Sequence, residues 1–365
     1  MSIATCKTQF LLWLIILAVS VPMISSMALG QYVQHNLVTN KKTSAPHTDP
    51  NLVNAWGLSF LPSSSFWVSD EATGKTTVYD AAGALQLTVS VPSASGKGLG
   101  TPTGQVGNPN NMIFMIREKT SSGTKTGSAA FIFATLDGTI SGWNPNVNAS
   151  DAVIAVNRSK EGDSYTGLAI TTFTPNGSTI PKTFLAAADA VHNAVRVFND
   201  DFDLVESLSD SNTPKGLAVY GIQADDENVY VTLGAFGSTA GAVDIFNLKT
   251  KTVKRLITNG AGGRLNLPWG IAIAPKNFGE FSGALLVGNT GNGWINAFNT
   301  TTGKFLGSLE SGGKPIVIND LWGLEFGGGD TARNGAMNQL FFTSGPDEYT
   351  NGILGVIEIA TKTTE

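Results

Sequence analysis

The sequence predicts an all-β protein, a six-bladed β-propeller of four-stranded antiparallel blades. Three observations predict it. Six glycine-centred signatures recur along the chain: Asn54-Ala-Trp-Gly-Leu58, Gly107-Asn-Pro-Asn-Asn111, Tyr165-Thr-Gly-Leu168, Pro214-Lys-Gly-Leu217, Leu267-Pro-Trp-Gly-Ile271 and Asp320-Leu-Trp-Gly-Leu324. Measured between Gly57, Asn110, Gly167, Gly216, Gly270 and Gly323, their spacings are 53, 57, 49, 54 and 53 residues. A near-constant repeat of roughly fifty residues holding about four short strands is a propeller signature. Downstream of most signatures lies the third observation: an apolar strand, a turn rich in Asp, Asn and Gly, and, in five copies, a strand ending in an aromatic residue.

Each copy supports its blade. The first continues into Phe66-Trp-Val-Ser-Asp70 and Thr76-Thr-Val-Tyr79, and the second ends on Thr139-Ile-Ser-Gly-Trp143. The third ends on Ala194-Val-Arg-Val-Phe198. The fourth carries Asn228-Val-Tyr-Val-Thr232 and Ala242-Val-Asp-Ile-Phe246, and the fifth Trp294-Ile-Asn-Ala-Phe298. The sixth closes on Gly355-Val-Ile-Glu-Ile359 without the aromatic. Large apolar side chains at strand spacing, bounded by turn residues, mark half-buried strands. The signature glycines are expected on the innermost strands, where a residue without Cβ lets backbones approach. Trp56, Trp269 and Trp322 precede three of them, either filling the wedge between neighbouring blades or forming an aromatic platform at the tunnel mouth. An open ring would expose an edge strand. Tyr32-Val-Gln-His-Asn-Leu-Val38 is therefore expected to close it as the outer strand of the last blade, beside Gly355–Ile359, with His35 at the surface.

Residues 1–30 read as a secretory signal peptide: Lys7, an apolar run from Phe10 to Val19, and small residues at Ala28 and Gly30. Residues 31–365 are then one propeller domain, secreted and without a stable membrane anchor. Cys6, the one cysteine, falls in the leader, so neither disulfides nor thiol chemistry are expected of the mature chain. Charged residues are 14% of the chain and the net charge is −5, with no clustered basic face to attract nucleic acid. Sequons at Asn148, Asn157, Asn176 and Asn299 mark expected surface loops and candidate glycosylation sites.

Four segments resemble one family: His47-Thr-Asp-Pro-Asn-Leu-Val-Asn-Ala-Trp-Gly-Leu58, Phe131-Ile-Phe-Ala-Thr-Leu-Asp-Gly-Thr-Ile-Ser-Gly-Trp-Asn144, Leu265-Asn-Leu-Pro-Trp-Gly-Ile-Ala-Ile-Ala-Pro275 and Leu285-Leu-Val-Gly-Asn-Thr-Gly-Asn-Gly-Trp-Ile-Asn-Ala-Phe298. The chain is similar, from about Leu37 to Ile359, to an uncharacterised secreted propeller family whose bacterial members often end in a PEP-CTERM sorting tail. That resemblance implies a six-bladed, NHL-like propeller on the exported side of a membrane, with no established activity. Two departures stand out. The sequence ends at Thr361-Lys-Thr-Thr-Glu365 without a sorting tail, and Thr290 and Asn292 stand where an aromatic and an acid are expected.

Loops after each blade's second strand converge at one end of a propeller tunnel. Here they carry Asp70 with Glu71, Asp137, Asp189 with His192, Asn289 with Asn292, and Asp347 with Glu348. Pooled carboxylates and amides are oxygen ligands suited to Ca²⁺ or another divalent cation, while the same residues are also what tight turns demand. Asp70 and Asp189 end apolar strands at the same repeat position and are the candidate metal ligands. His47 and Asp49 form a second constellation, either a His–carboxylate pair or turn chemistry before the first inner strand. No Gly-x-Ser-x-Gly elbow or His-Glu-x-x-His motif occurs. The leading expectation is a secreted, non-catalytic binding propeller for a glycan, cell-wall polymer or protein. The alternative is a divalent-metal-dependent hydrolase or lactonase with its site in the tunnel.

Overall fold

A computed structural model describes Met1 and residues 32–42, 44–258 and 263–360. The apolar leader, with Cys6 and the cleavage expected near Gln31, lies outside the described residues, as does the tail from Thr361. Six four-stranded antiparallel blades form a propeller ring, and the two-residue strand His47–Thr48 pairs parallel with Tyr32–Thr39 at the outer edge of the last one. From the inside outwards, blade 1 is Ala55–Ser59, Phe66–Asp70, Lys75–Tyr79 and Leu85–Ser90. Blade 2 is Pro102–Gly107, Phe131–Thr135, Thr139–Trp143 and Val153–Asn157, with a hairpin, Met115–Thr120 and Gly123–Ser128, inserted after its inner strand. Blade 3 runs Tyr165–Phe173, Lys182–Asp189, Ala194–Phe198 and Leu204–Leu208. Blade 4 runs Ala218–Asp225, Asn228–Gly234, Ala242–Asn247 and Thr252–Ile257. Blade 5 runs Pro268–Ile273, Leu285–Asn289, Ile295–Phe298 and Phe305–Ser308.

Blade 6 contributes Leu321–Phe326, Leu340–Ser344 and Ile353–Ile359, and its outer strand comes from the other end of the chain. Tyr32–Thr39 pairs antiparallel with Ile353–Ile359, from Tyr32 opposite Ile359 to Thr39 opposite Ile353. His35 is exposed there, 3.8 Å from Glu358. The closing strand expected from the sequence is thus in place.

Apolar side chains meet between blades rather than within them. Ala186 and Val195 of blade 3 pack with Val229 and Val231 of blade 4, and Leu285 and Phe298 of blade 5 with Tyr230 and Val243 of blade 4. Between blades 1 and 2, Trp67 stacks on Phe131 at 4.2 Å and lies 4.8 Å from Trp143. Both faces of each sheet are therefore covered, which is why the strands read as apolar runs.

Around the tunnel, six glycines set how closely the inner strands approach. A Cβ on Gly57 would lie 2.3 Å from Thr103 O, on Gly104 2.2 Å from Leu168 N, and on Gly221 1.9 Å from Trp269 O. One on Gly167 would meet Tyr220 O at 3.1 Å, on Gly270 Trp322 O at 2.4 Å, and on Gly323 Trp56 O at 2.7 Å. Each inner strand thus abuts the next, and the sixth returns to the first. Two signatures are corrected by this ring. Blade 2 uses Gly104 in place of the segment around Asn110, and blade 4 uses Gly221 in place of Gly216. Gly216 sits in a turn at φ 83° with no neighbour within 4 Å.

Candidate functional site

The turns between second and third strands share one face with the loops entering the inner strands, and that upper face carries every candidate ligand residue, while the sequons Asn148, Asn176 and Asn299 lie in loops of the opposite face. At its centre the residues preceding the ring glycines meet across the tunnel. Trp56 stacks on Trp322 at 3.9 Å, and Trp269 stands edge-on to both at 6.0 Å. Tyr220 lies 6.4 Å from Trp56. The tryptophans therefore plug the tunnel, correcting the wedge position expected for them; all are buried, so they are not an open platform either. Trp269 and Trp322 spend their indole N–H groups on Thr166 O and Asn54 Oδ1, both at 2.9 Å, while Trp56 Nε1 and the Tyr220 hydroxyl have no partner among the described residues.

Above the plug sits Phe236, from the turn of blade 4 and 59% exposed. It is 5.7 Å from Tyr220 and 6.0 Å from Tyr349, which the corresponding turn of blade 6 supplies. Beside Tyr349 is a hollow of about 340 Å³ lined by Asn292, Asn319, Asp320, Asp347 and Glu348 among others. Burial, with Asp347 and Glu348 nearby, raises the Asp320 carboxyl above its ordinary value. Neither Phe236 nor Tyr349 stands out in the sequence: Phe236 lies in a turn of glycines and small residues, and Tyr349 beside the more conspicuous Asp347 and Glu348.

The predicted carboxylates form a ring of separate sites. Asp189 and His192 do come together: His192 Nδ1 lies 2.7 Å from Asp189 Oδ2, leaving Nε2 unengaged. Asp163, missed in the sequence, completes the group, since one ligand atom from each of Asp163, Asp189 and His192 lies within 4.8 Å of the others. Two guanidiniums already serve these carboxylates. Arg196 Nε donates to Asp189 at 2.9 Å and Arg158 Nε to Asp163 at 2.8 Å, while the Tyr165 hydroxyl also donates to Asp163 at 2.8 Å. A divalent ion here would have to displace Arg196 from a nearly dry site, so the chemistry this arrangement offers is an oriented imidazole rather than a metal cage.

Asp70 shares no partner with Asp189 and sits in blade 1. Register makes the two equivalent, Asp70 opposite Lys75 and Asp189 opposite Ala194. Blade 3 then places Arg196 third in its third strand, where blade 1 places Thr77. Asp70 is consequently buried with neither carboxylate oxygen hydrogen-bonded. Burial pushes its carboxyl well above the ordinary range, and the adjacent Thr77 hydroxyl draws it down less. Asp70 is thus a buried carboxyl without a counter-charge or hydrogen-bond partner, while Asp189 is ion-paired with Arg196. Asp70→Asn should therefore leave the melting temperature at pH 7 almost unchanged. Asp189→Asn strips Arg196 of a buried partner and should cost about 3–5 kcal/mol. Equal losses in urea unfolding would contradict this division, and a calcium-dependent rise in melting temperature lost only in Asp70→Asn would restore Asp70 as a metal ligand.

The remaining candidates are tied locally. Glu71 accepts from Asn54 Nδ2 at 2.8 Å, Asp137 from Ala94 N at 2.6 Å, and Asp347 from Lys41 Nζ at 2.5 Å. Asn289 braces the loop into blade 5, accepting from Asn266 N at 3.1 Å and donating to Arg264 O at 2.9 Å. Asp49 is turn chemistry: Oδ1 accepts from Asn51 N and Oδ2 from the Tyr79 hydroxyl, both at 2.9 Å. Among the sequons, the side-chain amides of Asn148, Asn157 and Asn176 donate to Glu118, Ala94 O and Lys249 O. Asn299 is exposed and uses only its Oδ1, accepting from Thr301 N and Thr302 N at 3.0 and 2.8 Å.

Below the plug, inner-strand residues of all six blades line a tunnel pocket of about 180 Å³. Its walls are Leu58, Leu168, Ile222, Ile271 and Leu324, with Trp269 from the plug. Ser59, Gln223 and Glu325 add polar groups. Burial alone raises the Glu325 carboxyl to about 8. Glu325 too was missed. The signal was there: two residues past the ring glycine, the other copies carry Ser59, Val106, Ala169, Gln223 and Ala272, and only blade 6 carries a charge.

No family model matches the chain. Two uncharacterised proteins of Acanthamoeba polyphaga mimivirus are similar to it. One is 29% identical over 338 residues, 88% of this chain and 78% of the relative. The other is 27% identical over 348 residues, 90% of this chain and 86% of the relative. Among solved structures, a catalytically inactive histidine-to-alanine variant of virginiamycin B lyase from Staphylococcus aureus, bound to quinupristin, matches with TM-score 0.51 and 11% identity, covering 90% of this chain and 100% of that one. A streptogramin B lyase matches with TM-score 0.50 and 10% identity, over 90% and 98%. At that identity the likeness establishes the propeller fold alone.

Proposed function

We propose that this is an extracellular binding propeller whose upper tunnel mouth engages a neutral glycan. The observation that carries the reading is Phe236, a large aromatic held out to solvent on an aromatic floor beside a hollow lined by amides and carboxylates. An aromatic face covers the apolar face of a sugar ring, and convergent polar groups bind its hydroxyls. Asp320, Asp347 and Glu348, with a net charge of −5 overall, disfavour anionic polymers. Export by the leader supports an extracellular glycan as partner, and the NHL-like family resemblance fits the same setting. Asn299, with its amide nitrogen unengaged at the surface, is the best placed of the four sequons to carry an N-glycan. Metal-dependent hydrolysis has less support, because the candidate carboxylates near His192 are ion-paired.

Titration calorimetry with neutral oligosaccharides (β-glucan and chitin fragments) tests the reading. Phe236→Ala should weaken binding at least tenfold while leaving the melting temperature unchanged, since the side chain is largely exposed. A wild type that binds none of the panel, or a Phe236→Ala variant that binds as tightly, removes the mouth as the site. In a secreting host the protein should reach the medium with its N-terminus near Gln31.

A further inference from the structure

The pocket beneath the plug is separate from the mouth and is built differently. Glu325 is the one titratable side chain among its lining residues, which come from the inner strands of all six blades. Neither Glu325 nor Gln223 makes a side-chain hydrogen bond to a described residue, and the Ser59 hydroxyl is buried without a partner. Three unengaged polar groups from blades 6, 4 and 1 thus face one small cavity; its other walls are aliphatic side chains, glycine backbone, Phe60, Trp269 and Gln105, whose amide is already spent on Gly57 O and Trp67 O. Glu325 is half-buried in a narrow tunnel with no counter-charge beside it, where a carboxylate is poorly compensated. A cation entering the pocket would compensate it.

The walls decide which cation. A hard metal ion needs six or more oxygen ligands, and the unengaged groups here supply fewer. Aliphatic walls and an indole at the closed end suit alkyl groups, and a ring face attracts cationic nitrogen. We infer that the tunnel pocket binds a small organic ammonium, its charge against Glu325 and its alkyl groups against Leu58, Leu324, Ile271 and Trp269.

Binding of a cation requires the ionised carboxylate. With the Glu325 carboxyl at about 8 in the empty protein, affinity should rise about tenfold per pH unit up to that value and then level off. Tetramethylammonium carries a fixed charge, so its pH dependence reports the protein.

The experiment is calorimetric titration of the full mature chain with methylammonium, trimethylammonium and tetramethylammonium chlorides, with neopentyl alcohol as the uncharged counterpart and K⁺ and Ca²⁺ as inorganic ones. At about pH 8.5, just above the Glu325 value, at least one ammonium should saturate one site, with neopentyl alcohol and the metal ions at least tenfold weaker. Glu325→Gln, which keeps shape and removes the charge, should lower affinity at least tenfold and abolish the pH dependence. Gln223→Leu, which retains the carboxylate, should keep the pH dependence. Equal binding of the uncharged compound, saturation by K⁺ or Ca²⁺ alone, a pH-independent affinity, or no ammonium binding would each overturn the inference.

Discussion

A chain beginning at Asn40 should fail to unfold cooperatively, because it lacks the strand that closes the ring. Tyr32–Thr39 supplies the outer edge of blade 6 along the whole of Ile353–Ile359. It also anchors the neighbouring blade. Tyr32 is buried, stacks against Phe281 at 6.1 Å and donates its hydroxyl to Phe278 O at 3.0 Å. At the other end Val38 is buried with Leu52, Phe341 and Leu354. Two such side chains are worth about 1.5–3 kcal/mol each, before the ladder hydrogen bonds are counted. Whole domains hold only about 5–15 kcal/mol. Removal also bares Ile353–Ile359, an aliphatic edge of the kind that pairs with other chains. Calorimetry should show a lost or much lowered transition, with aggregation. A synthetic peptide spanning Tyr32–Thr39 should restore part of it. An unchanged melting temperature in the shortened chain would mean that ring closure does not depend on this strand.

The blade count was legible because it depends on spacing, and spacing tolerates small errors. Asn110 and Gly216 lie a few residues away from the residues that form the ring, Gly104 and Gly221, so the repeat still summed to six blades. Identity at those positions depends on one Cβ and the backbone it would strike. Blade 2 gave little help, since Pro102-Thr-Gly-Gln-Val106 lacks the aromatic of the other copies and an Asn-Pro-Asn turn comes after it. Blade 4 misled more directly: Pro214-Lys-Gly-Leu217 mimics the signature, yet its glycine serves a left-handed turn.

For the site, sequence position placed the turn residues on the correct face, because every second strand ends there. Their partners were not legible. Asp70 and Asp189 occupy equivalent places, and their difference comes from a third residue, Thr77 or Arg196, on another strand. Arg158, from the end of blade 2, reaches Asp163 ahead of blade 3. Such pairings depend on how side chains turn across one hairpin or one connecting loop, which strand periodicity does not encode.

Gly221→Ala should be among the most damaging single substitutions in the protein. The added Cβ would lie 1.9 Å from Trp269 O and 2.7 Å from its carbonyl carbon, both backbone atoms of the next blade. Rotamer changes cannot relieve a clash with backbone, so the inner strands of blades 4 and 5 must separate. Separation is resisted on both sides. Gly221 N donates to Thr232 Oγ1 at 2.8 Å, and Trp269 is held by its own hydrogen bond to Thr166 O and by the tryptophan plug. In a closed ring a shift at one seam must be absorbed at the other five. Overpacking a core by a methyl group typically costs about 1–3 kcal/mol, and here about 3–5 kcal/mol or insolubility is expected. Gly216→Ala is the matched comparison: its Cβ meets nothing within 4 Å, so only the left-handed backbone at φ 83° opposes it, at about 1–2 kcal/mol. Urea unfolding of the two variants beside wild type measures both costs. Were Gly216→Ala the more damaging, the close approach of inner strands at Gly221 would not be what holds this seam of the ring together.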